Sequence, residues 1–218
     1  MKVEKNIFLE ELISRYPKLI SVEDEIKKAA DCLILCYQQG LKVLVCGNGG
    51  SCSDSDHIVV ELMKSFEHKR PIGKTLKKQL MKFGGDRGNY LSEKLQQGLP
   101  AISLTAHSGL ITAVANDIDS DLIFAQQVVS YGNAGDILIA ISTSGNSQNV
   151  LDAIIIAKAK RMVVIGLTGE TGGKMKTYCD IMINVPGQRT AFVQELHLPV
   201  YHTLCLMVEN HFFGNQQS

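Results

Sequence analysis

Five short apolar runs, at residues 43–46, 101–104, 137–141, 162–167 and 181–185, constrain the fold of this chain more than any other feature. None alternates with polar residues, so each predicts a strand buried on both faces. Glycines, small polar residues or an amphipathic stretch follow each run. Such strands separated by helical patterns predict a parallel sheet between two helix layers, a five-stranded αβα sandwich. Ligands of such sheets bind outside the carboxyl ends of the strands. The loops after residues 46, 104, 141 and 167 are therefore where chemistry is expected.

Residues 3–39 carry apolar positions at helical spacing, broken near Pro17, and predict two helices. With 218 residues and 45% hydrophobic content, the chain predicts a single domain over 1–218, with amino-terminal helices in 1–40. Lys plus Arg and Asp plus Glu number 22 each, so no overall field attracts nucleic acid or an anionic membrane, and an anionic ligand must be held locally. The six cysteines lie mostly in apolar runs and read as reduced core residues, the amino terminus has no signal-like apolar stretch, and no run is long enough to span a membrane. A cytoplasmic protein is expected.

Residues 73–98 break the rhythm with two helix-like pieces around a Gly-rich turn. Lys74, Lys77, Lys78, Lys82, Arg87 and Lys94 outnumber Asp86 and Glu93 there by four. A solvated surface excursion is the plain reading; a lid or an oligomer contact is the functional one. The GKT at 73–75 is no phosphate loop, because His68 stands where the first glycine is required.

Four constellations carry chemistry. The first, Asn48, Gly49, Gly50 and Ser51, lies between a strand and a helical stretch. Glycines there let backbone N–H groups approach a ligand, although a Gly-rich turn without a ligand is common. The second is Ser142, Thr143, Ser144 and Ser147, after a strand and before an amphipathic helix. Several hydroxyls and free N–H groups at a helix start suit a phosphate, and one N-cap serine explains only one of them. The third pairs His57 with Glu61 on one helix face, a surface contact in the plain reading and a base or metal site in the functional one. The fourth is Gln194 with His202 in the last amphipathic segment, where satisfied core residues are the plain reading. Asn116 and Asp117 are similarly ambiguous.

Together these segments resemble the phosphoheptose isomerases of the SIS (sugar isomerase) domain type. The motifs are GNGGSxxDxxH with a glutamate four later (47–61), ND (116–117), STSGNS (142–147), LTGxxGGKM (167–175) and QExHxxxxH (194–202). The resemblance implies a homotetramer, with the amino-terminal helices packing in the oligomer. The implied reaction converts sedoheptulose 7-phosphate to D-glycero-D-manno-heptose 7-phosphate. It also implies zinc ligands at His57, Glu61, Gln194 and His202. Sugar and phosphate contacts map to Asn48, Gly49, Gly50, Ser51, Asn116, Asp117, Ser142, Thr143, Ser144, Ser147 and Gln194. An enediol route needs a base at carbon, assigned to Glu61, and a group that moves hydroxyl protons, assigned to His202.

Three departures from the family pattern stand out. Residues 73–98 look inserted, Ala191, Phe192 and Val193 replace charged residues, and Pro199 should kink the last helix. Two alternatives remain open: a non-catalytic phosphosugar-binding module of the replication-initiator-associated kind, and an isomerase of another phosphosugar. Gln194 and His202 are also about 12 Å apart on a continuous helix, too far for one ion. Either the helix is interrupted, as Pro199 allows, or Gln194 lies before its first turn, or the two residues serve sites in different subunits. The last is expected, with Glu61 and His202 drawn from different chains.

Overall fold

The structure, a computed structural model, describes residues 6–214. Residues 1–5 of the amino-terminal helical segment lie outside the described residues. Helix α1 (Ile7–Arg15) starts at Asn6, whose side chain accepts from the N–H groups of Phe8 and Leu9. It ends before Pro17, which cannot donate to an α-helix and restricts Tyr16 before it. A 3-10 turn over Pro17–Val22 separates it from α2 (Glu23–Gln38). The two expected helices are present, and the turn is the addition that the apolar spacing did not reveal.

All five expected strands form: β1 (Val43–Gly47), β2 (Ala101–Ser103), β3 (Ile137–Ile141), β4 (Val163–Thr168) and β5 (Ile181–Asn184). They make one parallel sheet in the order β2-β1-β3-β4-β5. Every residue of β1 and β3 is buried, which is why these runs show no alternation. The helices α1, α2, α3 (Gly50–Met63) and α8 (Thr190–Phe213) cover one face, with Leu12, Ile26, Leu33, Ile58 and Leu204 in that core. On the other face, α6 (Ala125–Tyr131) and α7 (Gln148–Ala159) bury Val128, Val150 and Ile154. The expected αβα sandwich is the observed architecture. No helix among the described residues is long and apolar enough to cross a membrane.

The 73–98 segment forms α4 (Lys74–Lys94), broken at Gly85, whose φ of 50° suits glycine. This matches the two pieces around a turn, and only Gly88 and Ser92 of the helix are buried. Helix α8 runs through Pro199 without interruption. The proline removes one backbone donor, but Val193, His197, Val200, Tyr201 and Leu204 on either side are held in the core, so packing keeps the helix whole. Helix α5 (Ser108–Asp117) completes the set.

Candidate active site

Two loops at the carboxyl ends of neighbouring strands meet. Asn48 follows β1 and Asn149 lies in the first turn of α7, and their side-chain amides exchange two hydrogen bonds of 2.8 and 3.0 Å. The register that sets Gly47 beside Ile141 brings the two strand ends level. In the second loop Ser142 and Ser147 place their hydroxyls 3.0 Å apart, and Ser144 Oγ accepts from the Asn146 N–H. Ser147 is the N-cap residue of α7 but makes no side-chain capping bond. Its hydroxyl faces Ser142 instead, so the capping reading fails and the first N–H groups of α7 keep no side-chain cap. Gly145 holds this loop's shape with φ +66°, and a Cβ there would stand 2.2 Å from the Gly172 carbonyl oxygen of the loop after β4. An anion placed here would meet hydroxyls, N–H groups and the positive end of a helix.

Gln194 belongs to this same end. Its side chain lies over Gly50 so closely that a Cβ on Gly50 would stand 2.3 Å from Nε2. Ser51 is buried beside it, whereas Asn48, Gly49 and Gly50 are exposed. Asn116 and Asp117 bond to each other at 2.7 Å on the exposed end of α5. Among the described residues, no hydrogen bond ties them to the other candidates.

Glu61 lies elsewhere. It is eleven residues beyond Gly50 on α3, about 16 Å away at 1.5 Å per residue. The carbonyl of Leu62 accepts from the Leu99 N–H just before β2, so this end of α3 is level with the amino ends of the strands. The expectation that all the chemistry gathers at the carboxyl ends is therefore corrected. Parallel strands force the helix after a strand to run back along the sheet, and three turns carry Glu61 to the opposite edge.

Here α3 and α8 run side by side, and their facing positions form a polar chain. Glu61 Oε1 stands 3.3 Å from His57 Nε2, and its other oxygen accepts from Lys64 Nζ at 3.1 Å. His57 Nδ1 is 3.1 Å from the Tyr201 hydroxyl, which donates to Asp54 at 3.2 Å. The His202 ring meets His57 edge-on at 4.9 Å and Phe66 at 5.3 Å. Only 9% of the Glu61 side chain is exposed. Burial, then the neighbouring His57, lowers the His202 pKa, while Glu61 pulls it upward. Burial raises the Asp54 pKa despite its bond to Tyr201. A cavity of about 330 Å³ opens beside His202, lined also by Phe8, Arg15, Phe66 and Leu198.

Glu61 and His202 thus come together within one chain, and the expectation that they come from different chains is corrected. The distance argument applies instead to Gln194 and His202. Helix α8 is continuous and Gln194 lies beyond its first residue, so neither an interruption nor a position outside the helix brings the two together. Imidazole, carboxylate and imidazole suit zinc, and His202 Nε2 is buried without a hydrogen-bond partner among the described residues. Yet no group of three or more His, Cys, Asp or Glu among the described residues is arranged to hold a metal ion. One chain brings three of the four implied ligands near one another and leaves Gln194 at the other end of the seam.

A family model described as the SIS domain matches residues 8–97 and 88–169. The chain is 39% identical over 191 residues to the phosphoheptose isomerase of Burkholderia pseudomallei strain K96243, covering 88% of this chain and 84% of that protein. The chain belongs to the phosphoheptose isomerase family of SIS domain proteins. With the phosphoheptose isomerase of Rhodospirillum rubrum it shares 38% identity over 210 residues, covering 96% of this chain and 98% of the relative. The solved phosphoheptose isomerase from Francisella tularensis superposes with a TM-score of 0.72 at 33% identity, over 93% of this chain and 95% of that one. The Neisseria gonorrhoeae structure gives 0.66 at 32% identity, over 92% and 98%.

Within this phosphoheptose isomerase fold, sequence spacing missed Asn149, Asp54 and Tyr201. Asp54 stands in the DxxH part of the first motif and Tyr201 directly before His202. Their three-residue spacing from His57 and adjacency to His202 were the available signals. Asn149 had none, because its partner is 101 positions away.

Proposed function

We propose that the chain is an aldose–ketose isomerase that interconverts sedoheptulose 7-phosphate and D-glycero-D-manno-heptose 7-phosphate through an enediol. The observation that carries this reading is the nearly buried Glu61 carboxylate, held between His57 and Lys64 and next to His202. A fixed carboxylate takes the proton from the carbon beside the carbonyl and returns it to the neighbouring carbon. His202, whose charged form burial disfavours, accepts and returns hydroxyl protons. The phosphate is assigned to Ser142, Thr143, Ser144 and Ser147 at the start of α7, with Asn48, Gly49, Gly50 and Ser51 beside it and Asn116 and Asp117 as further sugar contacts.

The same proposal includes a homotetramer with composite sites. Glu61 is farther from the start of α3 than a seven-carbon phosphate can reach, so the phosphate loop of one subunit serves the Glu61 cluster of another. Exposed Val60, Met63 and Leu198 beside the cluster supply apolar surface for such packing. Zinc is part of the same proposal on donor chemistry: His57, Glu61 and His202, which in one chain are not arranged around an ion, would take it up only with Gln194 of the partner subunit completing the set. When bound, the ion polarises the substrate oxygens. A cytoplasmic location is supported by six unpaired cysteines.

Incubating the purified protein with sedoheptulose 7-phosphate and other ketose phosphates, with and without chelator, tests the reading. Aldose formation from the seven-carbon ester is expected. Turnover of only another ketose phosphate would change the substrate, and no turnover of any would leave a binding module. Metal analysis of the purified protein checks the ion independently of activity.

A further inference from the structure

A buried ion pair outside the candidate catalytic groups wraps the end of α3. Arg70 and Glu209 have fully buried side chains and meet at 2.7 Å, Nε to Oε1. The remaining groups of both side chains are spent on one short stretch of backbone. Arg70 Nη1 donates to the carbonyl of Leu62 at 2.7 Å, and Nη2 donates to the carbonyl of Glu61 itself at 2.9 Å. Glu209 accepts from the N–H groups of Phe66, Glu67 and His68 at 2.8, 2.8 and 3.2 Å. The last carbonyls of a helix lack intrahelical partners, and here a guanidinium fork supplies them.

We infer that Arg70 and Glu209 are positioning residues for isomerisation: they fix the backbone of Glu61 on one side and, through Phe66, the ring of His202 on the other. Phe66 is the link, since Glu209 holds its N–H while its ring lies 5.3 Å from His202. The pair ties the end of α3 to α8 beyond the His57–Tyr201 contact of the same seam, so it helps to set the separation of Glu61 and His202. Both side chains are fully buried, so neither is placed to touch substrate. Burial alone would drive the Glu209 carboxyl upward, yet the three N–H groups and Arg70 together hold it below the usual carboxylate range, so it stays charged at neutral pH. This inference rests on the isomerase reading.

Arg70→Lys is the informative variant, because an ammonium keeps the charge facing Glu209 but cannot reach two carbonyls and a carboxylate at once. We expect a cooperative melt and a KM for sedoheptulose 7-phosphate within about twofold of wild type. The kcat should fall by about 10- to 100-fold, the effect of a displacement near 1 Å of a reacting group. Amides 66–68 should exchange faster with deuterated solvent. Glu209→Gln, which keeps the shape and loses the charge, should behave alike. A lowered melting temperature with unchanged kcat in both variants, or failure of both to fold, overturns the positioning role and leaves a structural one. An inactive wild type overturns the isomerase reading instead; the tie is then judged by exchange alone, and unaltered exchange at 66–68 in Arg70→Lys overturns it.

Discussion

The two ends of α3 hold their functional groups by opposite means. At the amino end, Asn48, Gly49, Gly50 and Ser144 are exposed and offer polar groups to solvent, and the loops are shaped by the close approach of the Gln194 side chain to Gly50 and of the Gly172 carbonyl to Gly145. At the carboxyl end, Glu61 is nearly buried and its neighbours form a continuous chain from Asp54 through Tyr201 and His57 to Lys64. A loop that receives a ligand must stay open until the ligand arrives, whereas a base must be aimed beforehand. Substitutions at the amino end should therefore affect binding, and those at the carboxyl end should affect the chemical step.

The largest effect expected is on turnover. Glu61→Gln keeps the shape but cannot accept a proton from carbon, and kcat should fall by about 10³-fold or more, within the usual range for general base removal. Circular dichroism should show an unchanged fold. A residual kcat within tenfold of wild type would break the contrast.

A smaller effect should appear with pH. His197 lies on the face of α8 turned to the sheet, fully buried, and burial pushes its pKa down to about 4. A histidine with a lowered folded pKa is neutral in the fold and takes up its proton on unfolding. Its contribution is complete above the unfolded pKa near 6.5 and is lost as pH falls from there towards 4, at most on the order of 3 kcal/mol. Urea unfolding at pH 7 and pH 4.5 should show this loss in wild type, with a shallower loss in His197→Gln. Equal slopes would remove His197 from the account.

Gly145→Ala tests the open end. The residue would need a positive φ and its Cβ would press on the Gly172 carbonyl, so a cost of about 2 kcal/mol is expected. A melting temperature lower by about 4–8 °C would show it. Smaller still, replacing Ser142 and Ser144 together by alanine should raise KM about tenfold, roughly 1.4 kcal/mol, with melting nearly unchanged. Equal losses of stability and binding would mean that the loop is structural.

The contrast also governs what the sequence could show. Strands β1 and β3 were legible because parallel strands buried on both faces carry no polar residue to confuse the pattern. The break in α4 was legible from Gly84 and Gly85. Each half of the site was legible as a motif, because helical spacing sets His57 against Glu61 and hydroxyls at a helix start suggest an anion. Their separation was also within reach, since eleven residues of helix carry Glu61 away from the loop. The tie between Arg70 and Glu209 was not, because its members are 139 positions apart and neither stands in a local pattern.

The composite site is tested most directly by mixing impaired variants under conditions of demonstrated subunit exchange. Glu61→Gln mixed with the Ser142→Ala, Ser144→Ala double variant, assayed at a substrate concentration well below KM, where the double variant alone keeps about a tenth of wild-type activity, should exceed the sum of the two variants' separate activities. Some mixed sites then join an intact carboxylate from one chain to an intact phosphate loop from the other. Glu61→Gln mixed with His202→Ala should regain none, because both residues serve the same cluster of one chain. Recovery in the second mixture and none in the first would contradict the account.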